Sequence, residues 1–187
     1  MTCIVGLEHA GKVYIGGDAA GTGGTHQVIM SEPKVFKRGP FVIGYTSSFR
    51  MGQLLQHTLK VPRWTESDNK TSVQSFMVRK FIPAVRVCLA EGGFLKKSEE
   101  VIRGGTFLVG YRGELHAVES DLQVGRVADG YYAVGCGMEL ALGSMHTTST
   151  SLDPFEQDPR HRITLALEAA EHFSSGVAGP FTIVATR

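Results

Sequence analysis

The chain has no run of like charge, no apolar stretch of bilayer length and only three cysteines. Each absence excludes something. Nineteen Lys and Arg against eighteen Asp and Glu give a formal charge of +1. Without a basic stripe there is no electrostatic footprint for nucleic acid, and none is expected as a partner. A membrane span needs about 20 mostly apolar residues. An export signal needs a basic segment followed by an apolar run of about 7 to 15 residues. Neither pattern occurs, so a soluble, cytoplasmic protein without a membrane partner is expected. Cys3, Cys88 and Cys136 are odd in number, far apart and set among apolar residues or glycines. They read as reduced, buried small hydrophobes. The phosphate-cradling pattern GxxxxGK[ST] is missing, so any ATP-driven step belongs to a separate protein. No cofactor and no metal are called for.

What is present is one domain's worth of alternating strands and amphipathic helices, residues 1–187. Residues 2–8 and 12–18 alternate as a hairpin turned at His9, Ala10 and Gly11. The segment 19–26, AAGTGGTH, reads as an exposed loop. Residues 34–38 and 40–46 form a second hairpin about Gly39 and Pro40. Met51, Leu54, Leu55, Thr58 and Leu59 fall at helical spacing over about 49–60, and 61–71 reads as a linker. Val73, Phe76, Met77, Phe81, Ala84, Val85 and Cys88 make a second helical stripe. Pro83 interrupts it, which predicts one bent helix closed by Gly92 and Gly93. From Gly105 the period returns to two, through TFLVGYR, ELHAVES and a short LQVG. YYAVGCGMELALGSM then reads as a strand breaking at Gly135, Cys136 and Gly137 into a helix. Asp158 and Pro159 are a helix start for a stripe of Ile163, Ala166, Leu167 and Ala170 ending near Gly176. PFTIVATR closes the chain as a strand. Blocks of strands and helices in this order give an α+β class.

The chemistry concentrates in the first 34 residues. If Met1 is removed, as the small side chain of Thr2 favours, the chain begins with Thr2 and a free α-amino group. Methionine removal is then the only activation step expected. A threonine hydroxyl is a weak nucleophile that needs an adjacent base. An α-amino group with a pKa of about 7.7 to 8.0 is close to the right strength. Asp18 emerges beside Gly16 and Gly17 at a strand end, where backbones approach closely. Lys34 follows Pro33 at a strand entry. An ammonium near the amine disfavours its protonation, and Asp18 would hold lysine and threonine in register. On a strand, neighbours point to opposite faces, which assigns Cys3 to packing.

Thr2, the GGD ending in Asp18 and the PK containing Lys34 resemble the Thr, Asp and Lys triad of proteasome β-type subunits and the bacterial peptidase HslV, which are N-terminal-nucleophile hydrolases. The separations match once Met1 is discounted. The similarity extends through FVIGYTSS, GGTFLVGYRGELHAVESD, AVGCG and the last helix and strand. The resemblance implies a four-layer αββα sandwich of two antiparallel sheets flanked by helix pairs. It implies a threonine endopeptidase acting on peptides or unfolded proteins, in a homo-oligomeric ring that encloses the sites and can be fed by a separate ATP-dependent unfoldase. It makes segment 19–26 a lining of the substrate cleft; a mobile loop is the alternative.

Several positions depart from the family pattern. Where the family has a glycine whose N–H helps hold the oxyanion, this chain has Ser47 or, one register later, Ser48; the donor is backbone and survives the change. Tyr45 is either a wall of the substrate pocket or a core tyrosine. Cys136 stands where the family usually has a serine near the threonine, and either assists or packs; Gly137 would aid the oxyanion. In EHFSSG the family's aspartate and its serine three residues later fall on His172 and Ser175, with a surface histidine at a helix end as the alternative. Two further functions stay open: a stand-alone amidase acting on a small molecule, and an inactive assembly protein on the same fold.

Overall fold

The computed structural model describes residues 1–98, 101–155 and 157–187, with backbone alone for 96–98 and 101–103. Strands β1 (Cys3–His9), β2 (Lys12–Gly17), β12 (Tyr131–Gly135) and β13 (Thr182–Ala185) form one antiparallel sheet in the order β12-β1-β2-β13. The second sheet runs β11-β10-β9-β6-β5, from β5 (Val35–Arg38), β6 (Phe41–Tyr45), β9 (Phe107–Tyr111), β10 (Glu114–Val118) and β11 (Val124–Arg126). Two hairpins stand apart, β3 (Ala20–Gly23) with β4 (His26–Ile29) and β7 (Lys96–Ser98) with β8 (Val101–Arg103).

The sheets face each other through Ile4, Val13, Ile15, Val35, Val42, Leu108, Leu115, Ala117 and Val134. Gly44 permits the close approach: a Cβ there would sit 2.6 Å from Ile4 and 2.7 Å from Ile15. The outer face of the first sheet is covered by α4 (Met138–Ser149) and α5 (Pro159–Phe173), through Ala141, Met145, Ile163, Ala166, Leu167 and Ala170. The outer face of the second is covered by α1 (Phe49–Gln53), α2 (Val73–Phe76) and α3 (Ile82–Glu91) with the turns joined to them, around Phe41, Phe76, Phe81 and Tyr111. This is the expected four-layer αββα sandwich. Asp158 caps α5, its carboxylate accepting the His161 N–H at 2.8 Å. Arg162 ties α5 to α4 by donating to the Met145 carbonyl at 2.9 Å.

Four expectations change. Residues 19–26 are no loop: β3 pairs with β4 from Ala20↔Ile29 to Gly23↔His26, and Ala19 and Ala20 are buried. The hairpin hid because β4 exposes every side chain and shows no alternation of burial. The 61–71 linker holds a 3-10 turn, Glu66–Lys70, capped reciprocally by Thr65 and Asp68 and braced by Lys80 at 2.7 Å. In place of a plain helix interrupted at Pro83, the stripe holds a π-helical segment, Met77–Phe81, ahead of α3; the wider turn makes room for the ring and its missing N–H. The last helix ends at Phe173 rather than Gly176.

His116 on β10 is fully buried, and neither ring nitrogen has a hydrogen-bond partner among the described residues. Glu114 Oε2 lies 3.4 Å from Nε2, without hydrogen-bond alignment. Burial first, and Arg126 second, push the imidazole down to about 4, with Glu8 opposing. A histidine depressed in the folded state stays neutral there while the unfolded chain takes up a proton below about 6.5. Stability is therefore lost as pH falls from about 6.5 towards 4, by about 2 kcal/mol at pH 5. Urea denaturation at pH 7 and pH 5 should show this loss, and His116→Leu should remove most of it. Asp68, held down to about 2 by hydrogen bonds from Lys80 and Thr65, acts below that window.

Candidate active site

Thr2 immediately precedes β1, the strand flanked by β12 and β2, and is 5% exposed. Asp18 follows β2 and is tied to the same backbone: Oδ1 accepts the Cys3 N–H at 3.0 Å and Oδ2 the Ala20 N–H at 3.0 Å. Lys34 immediately precedes β5 and reaches across the sandwich. Its Nζ donates to both Asp18 oxygens at 2.9 Å and to Thr2 Oγ1 at 2.8 Å. An ammonium has three donors, and all three have acceptors here. Lys34 is 1% exposed and Asp18 2%. Burial pushes the lysine below its ordinary range, with Asp18 pulling it back. The buried charge pair fixes a cation on one lone pair of the threonine hydroxyl. The hydroxyl proton goes to the Met1 carbonyl.

Cys3 faces the helix layer among Ala166 and Ala170. Its thiol is pushed up to about 12 by burial first and Asp18 second, so it stays protonated and packs.

The cleft over Thr2 measures about 100 Å³ and is lined by Met1, Thr22, Lys34, Tyr45, Ser47 and Phe49, among others. A larger hollow of about 420 Å³ lies among the turns at Gly11, Gly39 and Gly113. Convergent chemistry rather than size marks the smaller one as the candidate site. Tyr45 is both core and wall: 5% exposed, it covers Gly52, where a Cβ would lie 2.2 Å from the ring, and it lines the cleft. Burial first and Asp18 second push its hydroxyl up to about 12. Thr22, on β3, brings segment 19–26 to the wall of this cleft.

Hydrogen bonding sets Ser47 and Ser48 apart. The Ser48 N–H donates to the Thr46 carbonyl at 2.8 Å, and its hydroxyl caps α1 at the Met51 N–H. The Ser47 N–H has no acceptor among the described residues. Ser47 stands at φ 71°, a left-handed conformation uncommon for a residue with a Cβ. Its Oγ accepts the Thr106 N–H at 3.1 Å while Thr46 N–H donates to the Thr106 carbonyl at 3.1 Å. The side chain thus continues the β6–β9 ladder where the main chain turns away.

Around the Thr2 nitrogen the geometry departs from the sequence reading. Cys136 is exposed rather than buried, and its Sγ accepts from Thr2 N at 3.3 Å. It meets Ser174 Oγ at 3.6 Å. Ser175 is not at this site; its carbonyl accepts from Gln27 Nε2 at 2.9 Å on the surface. His172 is exposed at the end of α5, edge-on to Phe173. Two adjacent serines follow α5, and where the helix stops decides which one turns inward. Glu171, one residue before His172, accepts the Gly179 N–H at 2.7 Å. Gly137 is buried, and its N–H points at the Thr2 carbonyl, 3.5 Å away, rather than into the cleft.

Among the described residues no group of three His, Cys, Asp or Glu side chains is placed to hold a metal ion, and no helix is long and apolar enough to cross a membrane. No family model and no curated protein matches the sequence. Solved structures do. BPH from Thiobacillus denitrificans in complex with epoxomicin is 17% identical with a TM-score of 0.79, over 100% of this chain and 98% of that one. Eukaryotic HslV from Trypanosoma brucei is 17% identical with a TM-score of 0.68, covering 98% of each chain. A mutant of Anbu from Hyphomicrobium sp. is 13% identical with a TM-score of 0.68, over 100% of this chain and 82% of that one. The chain therefore has the fold of the HslV-like N-terminal-nucleophile hydrolases.

Proposed function

We propose that this chain is a threonine-type peptidase in which residues 1–187 act as one proteasome-like domain and Thr2 is the nucleophile. The observation that carries the reading is the buried lysine whose ammonium is shared between Asp18 and Thr2 Oγ1. A salt bridge built for stability alone has no need of a hydroxyl at its third donor, since buried ion pairs add little net stability.

Removal of Met1 frees the Thr2 amine beside Cys136 and takes away the carbonyl that accepts the hydroxyl proton. Thr2 Oγ1 then attacks the scissile carbonyl carbon. The amine accepts the hydroxyl proton and delivers it to the leaving peptide amine, while the Ser47 N–H stabilises the oxyanion. The C–N bond breaks, leaving an ester on Thr2. Water, activated by the same amine, hydrolyses that ester and restores the hydroxyl. Lys34 keeps the amine neutral and Asp18 holds Lys34. Unfolded protein as substrate, a cytoplasmic homo-oligomeric ring and a separate ATP-dependent unfoldase complete the reading, supported by the likeness to HslV.

The test is the intact mass before and after exposure to epoxomicin, the compound in the BPH complex. The expected result is a chain lacking methionine that gains one adduct on Thr2. Retained Met1 without adduct would favour the inactive assembly protein. A competent but monomeric enzyme would favour the small-molecule amidase.

A further inference from the structure

Beyond the Thr46–Ser47 turn lies a second cavity, of about 250 Å³, lined by Thr46, Ser47, Thr106, Glu119, Tyr132, Val134, Gly135 and Met138. Thr46 and Ser47 line both this cavity and the cleft over Thr2. Gly135 joins it to the nucleophile: a Cβ there would touch both the Thr2 carbonyl and Thr46 Oγ1. A chain segment held at Thr2 therefore has two places for its side chains, one on each side of the turn.

The second cavity differs from the first in its charge. Leu115 and Ala117 on β10 point into the layer between the sheets. The Glu119 N–H donates to the Gln123 carbonyl at 2.9 Å, continuing the β10–β11 ladder. By the period of two, Glu119 points the same way as Leu115 and Ala117. There it opposes Tyr132 and Val134 of β12 where the sheets open. A carboxylate at the end of an apolar inter-sheet stripe is half-buried, and desolvating it is costly without a cation. Among the described residues, every other side chain lining the cavity is uncharged. Tyr132, Val134 and Met138 supply an apolar wall, and the Thr46 and Thr106 hydroxyls a polar one. An apolar sleeve ending in a carboxylate suits a side chain with a methylene stem and a cationic head.

Resting on the peptidase reading, we infer that this cavity is a specificity subsite for a lysine or arginine flanking the scissile bond, with Glu119 as its recognition residue. The cleft over Thr2, by contrast, offers Tyr45, Phe49 and Thr22 to an uncharged side chain.

The experiment compares kcat/KM on fluorogenic peptides that differ at one position at a time on either side of the scissile bond, carrying lysine, norleucine or glutamate, at low and high salt. The mature chain should prefer lysine at one position by about tenfold, and salt should reduce that preference. Glu119→Gln should erase the preference while cleavage of the norleucine peptides stays within about twofold. Glu119→Lys should turn it towards glutamate. An unchanged lysine preference in Glu119→Gln, or none in the parent chain, overturns the subsite. An equal loss on all peptides in Glu119→Gln also overturns it, by making Glu119 structural. If the parent chain cleaves no peptide and takes no epoxomicin adduct, the peptidase reading fails, and the subsite with it.

Discussion

Lys34→Met should lower kcat by about 10³-fold or more with little change in KM. Methionine keeps much of the buried stem's volume, so the loss reports the ammonium rather than a cavity. The stability consequence is separate and predictable. Asp18 would remain buried, held by the Cys3 and Ala20 N–H groups but without its cation. Breaking such a pair on one side costs about 3 to 5 kcal/mol. The double variant Asp18→Asn, Lys34→Met removes the orphaned charge and should recover part of that stability but none of the turnover. Activity and stability moving apart in these two variants distinguish a catalytic lysine from a structural one. Full turnover in Lys34→Met would remove the mechanism. Circular dichroism and urea denaturation beside the peptide assay are enough to read all three quantities.

Gly135→Ala should have the largest effect of any single methyl group. Gly135 pairs with Cys3 across the β1–β12 ladder at φ 102°, a conformation that L side chains rarely adopt. A Cβ would also lie 2.1 Å from the Thr2 carbonyl oxygen, and backbone has no rotamer with which to give way. Strain and overlap together should cost about 3 kcal/mol or more. What does fold should be nearly inactive. Moving the Thr2 carbonyl moves Oγ1 off Lys34, and a displacement of about 1 Å costs about 10²-fold. Gly143→Ala is the control: it sits within α4 with nothing within 4 Å of its Cβ. It should gain about 0.5 to 1 kcal/mol and leave turnover alone. Equal behaviour of the two variants would show that the approach of Gly135 to Thr2 does not matter.

The residues that were hard to read are those whose neighbours come from far along the chain. Counting through EHFSSG points to His172 and Ser175, and counting cannot say which of two adjacent serines turns inward. The end of α5 makes that choice, sending Ser174 to Cys136 and leaving His172 in solvent. Cys136 lies between glycines and looks like a packing residue. Its exposure and its contact with Thr2 N exist only because β12 pairs with β1 and brings residues 134 positions apart together. Ser47 and Ser48 are equivalent in sequence, and the left-handed turn with its bond to Thr106 separates them.

The sequence by itself determined most of the elements and marked Thr2, Asp18 and Lys34 as candidates. The strands of both sheets and the stripes of the longer helices are local periodicities, and Thr2, Asp18 and Lys34 stand at strand ends that alternation and glycine mark. Such features are written within a few residues of themselves. Only the tertiary structure decided which groups share the cleft, that Gly137 turns its N–H to the main chain, and that Glu119 ends an apolar stripe beside a second cavity. Those facts depend on strand order and inter-sheet distance. Both are set by the summed packing of side chains distant in sequence, which no local pattern encodes.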